Sequence, residues 1–195
     1  MITLLIILIT VLISVAAFRR SELMYRYNFN AYQIIHRKQW YRIFSHIFLH
    51  ANWEHLIFNM ISLYFFAPVI ESQLGIITFL LIYGGAAIAS SIPDLIKHKD
   101  NFSYNALGAS GAVSAIIFTA ILLNPTSKIM LMFIPIPIPA VLFGVLYLVF
   151  SAYMAKRNID NIGHTAHFWG AVFGFVFPIV LEPSLLMDFL DTLLG

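Results

Sequence analysis

The chain has 195 residues, 61% of them hydrophobic and only 10% charged, with no cysteine and a formal net charge of +2. Its mean hydropathy is +0.87, whereas a soluble domain is about half apolar and about a quarter charged, so the composition excludes an ordinary globular protein and points to an integral membrane protein. The lack of cysteine excludes a disulfide framework and thiolate metal or redox sites, and the small, scattered positive charge offers no surface for nucleic acid.

A helix crossing the hydrocarbon layer needs about 20 apolar residues. The first such run is Ile2–Phe18, stopped by Arg19-Arg20. Its positive charge follows the apolar stretch, the reverse of a signal peptide, so it reads as a retained helix. Residues 19–52 form a polar and aromatic connection that includes Trp40, Tyr41 and Phe44. Aromatics of this kind favour the membrane–water interface. The second helix is expected over about 53–72, with Glu71 near its end. The third is expected over about 76–92, where small residues let helices approach closely and Pro93 ends the run. The fourth is expected over about 110–123, stopped by Asn124-Pro125. Pro135, Pro137 and Pro139 remove three backbone donors, so an extended or turn segment is expected before the fifth helix. That helix covers about 140–155, and the sixth covers about 163–181 before Glu182-Pro183. The tail, 184–195, is short and slightly acidic. Irregular backbone at membrane depth must line protein or a water cavity. Residues 102–109, just before the fourth helix, are a candidate for such a lining.

Polar groups inside spanning segments are costly and mark functional sites by default. His55 and Asn59 are four apart, and so share one face of the second helix. His167 lies in the sixth helix, and Ser110 opens the fourth within "GASG". Taken singly, each has a plainer reading. Ser110 is a small packing residue, the histidines and Asn59 hydrogen-bond between helices, and Gly170 and Gly174 form a packing groove. Together they make a chemical set. A serine hydroxyl needs an adjacent base, and histidine titrates near neutrality. A helix N-terminus offers free N–H groups to an oxyanion. His55 and Asn59 can add donors to the same oxyanion.

At these residues the sequence resembles the rhomboid family of intramembrane serine proteases. The resemblance rests on "RIFSHIFLHANWEHLIFN" (42–59), "GASGA" (108–112) and "AHFWGAVFG" (166–174), in that order among six apolar helices. It implies one rhomboid-like all-α membrane domain over 1–195, a six-helix polytopic bundle of the bacterial type, in the bacterial inner (cytoplasmic) membrane. By that resemblance the chain is a serine endopeptidase. Ser110 is the nucleophile and His167 the general base of a dyad that needs no cofactor and no metal. His55, Asn59 and the backbone at Ala109 and Ser110 form the oxyanion hole. Arg42, Glu71, Gly108, Gly111, Gly170 and Gly174 match structural positions, as do His46 and His50. The implied partners are transmembrane protein substrates within the lipid bilayer. Two positions depart from the family pattern. The first loop reads Trp40-Tyr41-Arg42 where Trp-Arg is frequent. Ser114 stands where some members place a tyrosine that stacks on the base.

Two rival readings stay open from sequence. His46-xxx-His50 and His164-xx-His167 echo the histidine boxes of membrane metal enzymes, although H-E-x-x-H is absent. A rhomboid-like protein can also bind membrane proteins without cutting them. The family's bacterial orientation places 19–52, 93–107 and 156–162 outside the cell. These loops hold ten of the eleven Lys and Arg, against the positive-inside trend.

Overall fold

The computed structural model describes residues 2–131, 134–157 and 163–195. The chain runs α1 (Ile2–Arg19), α2 (Ser21–Tyr27), α3 (Ala31–Arg37), α4 (Arg42–Ser45), a 3-10 turn (His46–Phe48), α5 (Trp53–Gln73), α6 (Gly75–Lys97) and α7 (Ser110–Leu123). A two-stranded hairpin follows, β1 (Lys128–Leu131) and β2 (Ile134–Pro139). Then come α8 (Ala140–Arg157), α9 (His164–Leu181) and α10 (Ser184–Leu194). The six apolar runs seen in the sequence are α1, α5, α6, α7, α8 and α9. The fold is a polytopic helical membrane bundle, as expected.

Among the described residues, five of these helices are long and apolar enough to cross a membrane: α1, α5, α6, α8 and α9. The exception is α7. Its 14 residues rise about 21 Å, short of the roughly 30 Å hydrocarbon thickness. It is also sheathed, with buried side chains from Gly111 through Ile116 and from Phe118 through Leu122. Its neighbours are α5, α6 and α9. A 14-residue helix wrapped by longer ones therefore does not reach from one end of the bundle to the other.

The third helix does not stop at Pro93. It continues to Lys97, because one missing donor is tolerable where tertiary contacts favour the extra turn. The last turn carries buried Asp94, whose carboxyl accepts a hydrogen bond from Tyr104 Oη at 2.8 Å. The connection 19–52 folds around Arg42, only 4% exposed. Its Nη1 donates to the carbonyls of Tyr25 (3.0 Å) and Asn28 (2.8 Å) and to Asn28 Oδ1 (2.8 Å), while Nε donates to Gln39 Oε1 at 2.6 Å. Arg42 thus ties together the backbone and side chains of residues 25–39. Glu71 anchors α1 to α5: its Oε1 accepts from the Thr3 amide at 2.8 Å and from the Thr3 hydroxyl. The proline-rich segment pairs as an antiparallel hairpin, Lys128 opposite Pro139 and Ile129 opposite Ile138. The tail forms α10, which the sequence reading left without a helix.

Candidate active site

Ser110 is the first residue of α7. Ala109 precedes it as the N-cap, with a methyl group that cannot cap. The first amides of a helix have no partner within it, so this end presents N–H groups beside the Ser110 hydroxyl. The loop leading there is pinned to the first loop. Phe29 and Ala106 exchange backbone hydrogen bonds of 2.8 and 3.0 Å. Asn30 Nδ2 donates to the carbonyls of Phe102 (2.8 Å) and Tyr104 (3.1 Å). Gly108 closes the loop with its amide on the His46 carbonyl at 3.0 Å and φ of +115°. Only glycine adopts that conformation without strain.

Glycines bring three helices together at Gly111. A Cβ on Gly170 would run into the Gly111 carbonyl, and one on Gly174 into the Ala115 carbonyl. A Cβ on Gly111 would meet Ser90 Oγ of α6 and lie 3.3 Å from the Ala166 carbonyl oxygen. Thr119 Oγ1 donates to the Gly174 carbonyl at 2.6 Å, locking the α7–α9 contact further along. Ser110 and His167 are the chain neighbours of Gly111 and Ala166, so the first turns of α7 and α9 meet where both residues sit. Both side chains are half-buried.

His55 lies across the other side of this turn. Its ring covers Gly108, where an added Cβ would stand 2.7 Å from His55 Nε2. Asn59, one turn along α5, is buried and donates one amide hydrogen to the His55 carbonyl at 2.8 Å. Its second amide hydrogen leaves a donor for another partner. His50 packs edge-on to His55, ring centroids 4.9 Å apart. Ser14 Oγ donates to the Phe48 carbonyl at 2.8 Å and lies 3.0 Å from His50 Nδ1. With its one hydrogen committed, Ser14 must accept from His50, which puts the proton on Nδ1. His50 Nε2 is then an acceptor, and the Ala109 amide points at it from 3.5 Å. The Ala109 amide, expected to face an oxyanion, is here directed at His50. Burial holds the His50 imidazole at a pKa of about 3, with His55 adding to the effect, and burial holds His46 at about 4.

The sequence reading missed Tyr147. Its ring stacks on His167 with centroids 6.3 Å apart and planes at 27°. His164 meets the same imidazole edge-on at 5.8 Å. Tyr147 Oη lies 2.6 Å from Ser114 Oγ, and that hydroxyl reaches the Ser110 carbonyl at 2.8 Å. The signal available was a polar-tipped aromatic in the apolar first half of α8, ahead of Ser151 and Tyr153. Among the described residues no three His, Asp or Glu side chains converge as a metal group would.

A family model for the rhomboid domain matches residues 37–184. The chain is 40% identical over 75 residues to YdcA, a rhomboid relative from Bacillus subtilis (strain 168), covering 38% of this chain and 37% of the relative. It is 33% identical over 139 residues to RHOMBOID-like protein 12, mitochondrial, of Arabidopsis thaliana, covering 64% of this chain and 41% of that one. It is 31% identical over 144 residues to Rhomboid protease GluP of Bacillus subtilis, covering 72% and 26% respectively. The chain therefore spans well under half the length of these curated relatives.

Proposed function

The chain belongs to the rhomboid family, and on that premise we propose that it is an intramembrane serine endopeptidase acting on transmembrane segments of other membrane proteins. The observation that carries the proposal is the glycine-mediated contact of the first turns of α7 and α9. It sets Ser110 and His167 on adjoining turns, with His55 across Gly108.

The chemistry follows from the groups present. A substrate segment unwinds locally, so that a peptide carbonyl reaches the N-terminal end of α7. The Ser110 hydroxyl oxygen attacks the carbonyl carbon while the His167 imidazole takes the hydroxyl proton. The oxyanion is stabilised by donors from Asn59, His55 and the Ser110 amide, while the Ala109 amide is partly held by His50. Collapse of the tetrahedral intermediate breaks the C–N bond. His167 returns its proton to the departing amine, leaving an acyl ester on Ser110. Water, deprotonated by His167, then hydrolyses the ester and restores the hydroxyl. No carboxylate is needed as a third member if packing holds the imidazole.

Ser110→Ala and His167→Ala, each purified and reconstituted with a model transmembrane substrate, should abolish cleavage. Full cleavage by either variant contradicts the assignment. Binding of substrate without cleavage by the intact chain would instead favour a non-catalytic rhomboid-like factor. We place the protein in a bacterial cytoplasmic membrane, in keeping with its Bacillus relatives, with Ser110 opening outward. In intact cells, Lys97→Cys should react with an impermeant maleimide and Lys128→Cys should not. The reverse pattern inverts the orientation.

A further inference from the structure

The cations that look scattered along the sequence are gathered by the fold at one end of the bundle. The last turns of α1 meet the first loop there, with Ser14 Oγ donating to the Phe48 carbonyl at 2.8 Å. The start of α5 lays the His55 ring over Gly108, and the first turn of α7 meets Ser90 of α6 and Ala166 of α9. The end of α8 reaches the start of α9, with the Phe150 and His164 rings 5.6 Å apart. Ten of the eleven Lys and Arg lie at these helix ends or in the segments that join them. Arg42 is buried and the other nine are exposed. Arg19, Lys97 and Arg157 close α1, α6 and α8, while Arg26, Arg37 and Lys38 stand between α1 and α5. Carboxylates do not neutralise them. Among the described residues this end carries Glu22, Glu54, Asp94 and Asp100. Asp94 is buried and accepts from Tyr104 Oη, and Asp100 faces His36 at 3.0 Å. No ion pair among the described residues engages any of the nine exposed cations. Several stand beside rings instead: Arg26 is 5.6 Å from the Tyr27 centroid, Lys38 6.0 Å from Trp40 and Arg157 5.1 Å from Tyr153. All three tryptophans, Trp40, Trp53 and Trp169, are exposed toward this end. The opposite end carries Lys128 alone against Glu71, Glu182, Asp188 and Asp191.

We propose that this basic, aromatic end of the bundle is a docking surface for anionic phospholipid headgroups. Exposed rings of this kind settle at headgroup depth. Lys and Arg beside them lay their apolar stems along the protein and carry their charge to the lipid phosphates. An anionic leaflet then attracts each such cation. The cations are spread around the ends of α1, α3, α6 and α8 rather than lining one groove, so a layer of headgroups fits them better than a single acidic peptide does. This surface goes beyond the protease reading, does not depend on it, and is the same whichever way the bundle faces across the membrane.

The test reads the lipids next to a single tryptophan in the full chain, reconstituted in bilayers of phosphatidylcholine and phosphatidylglycerol. Trp53→Phe with Trp169→Phe leaves Trp40 as the reporter beside Lys38. Its fluorescence is quenched by brominated phosphatidylglycerol in one series and by brominated phosphatidylcholine in another, and the ratio gives the preference for the anionic lipid. At low ionic strength that preference should be about fivefold or more, the effect of one basic residue at an anionic surface. In 1 M salt, where the Debye length is about 3 Å, it should fall toward one. Arg37→Gln with Lys38→Gln should lower it in the same way, and the salt series guards against misfolding of that variant because it removes no side chain. A reporter at the acidic end, Met187→Trp with the three native tryptophans changed to Phe, should show no preference for phosphatidylglycerol. Equal quenching of Trp40 by the two brominated lipids overturns the proposal. So does a preference that persists in 1 M salt or after loss of Arg37 and Lys38, and so does an equal preference at position 187. None of these readouts involves cleavage, so loss of the protease reading would leave the surface standing, and the reverse.

Discussion

Substituting Gly170 with alanine asks whether the glycine contact is what aligns the two helices. The added methyl runs into the Gly111 carbonyl oxygen and stands 2.8 Å from the carbonyl carbon and 3.1 Å from Cα. Carbon atoms pack at about 3.5–4.0 Å. Both partners are backbone, so no side chain can turn aside, and α7 and α9 must part by roughly 0.7 Å or more. Overpacking of this kind costs about 1–3 kcal/mol, and a misplacement near 1 Å at reacting groups costs on the order of 100-fold in rate. We expect Gly170→Ala to lower kcat about 100-fold on a reconstituted transmembrane substrate while the protein still unfolds cooperatively in detergent. Gly84→Ala is the control. It lies in the small-residue run of α6, yet nothing stands within 4 Å of its added Cβ. Alanine there favours the helix by about 1 kcal/mol, so activity should be unchanged and the melting temperature no lower. Wild-type turnover in Gly170→Ala, or equal damage from Gly84→Ala, would refute the reasoning.

Three further predictions concern the frame and the donors. Asn59→Ala should slow cleavage by about 10–1,000-fold if its free amide hydrogen reaches the oxyanion, and an unchanged kcat removes it from that role. Glu71→Ala strips the Thr3 amide and hydroxyl of their shared acceptor. It should cost about 1–3 kcal/mol and expose α1 to protease, with Glu71→Gln milder because it keeps an acceptor oxygen; equal protection of the alanine variant and wild type contradicts this. His46 and His50 are held neutral by burial, at about 4 and about 3. An unfolded histidine protonates below about 6.5. Their contribution is therefore complete above that pH and is lost as pH falls toward 4 and 3, by up to about 1.4 kcal/mol per pH unit per group. Opening of the first loop, followed by hydrogen exchange, should grow steeply more favourable between pH 6.5 and 4, and a flat profile would contradict the sign.

The helices were legible because each is a long apolar run, and their ends fell within a few residues except at Pro93. Proline costs a helix one donor, and sequence alone does not reveal that Asp94 and Tyr104 reward the extra turn. The α10 helix was missed because its apolar residues alternate with Asp188 and Asp191 and lie on the surface. At the candidate site, the histidine and serine types and their spacings carried the reading of Ser110, His167, His55 and Asn59. Two features were not legible, since both depend on contacts distant in sequence. One is the His50 tautomer, set by Ser14 thirty-six residues away. The other is Tyr147, which meets Ser114 only after α7 and α8 pack. The short fourth apolar run was readable as a length, but that longer helices sheathe it needed the packed structure.

The most direct measurement is covalent labelling of the purified protein in lipid by a fluorophosphonate probe, read by mass spectrometry of the modified peptide. The wild type should carry the probe on Ser110 alone, Ser110→Ala should carry none, and His167→Ala should label far more slowly because the hydroxyl has lost its base. Labelling at another residue, or undiminished labelling of His167→Ala, would contradict a Ser110–His167 dyad.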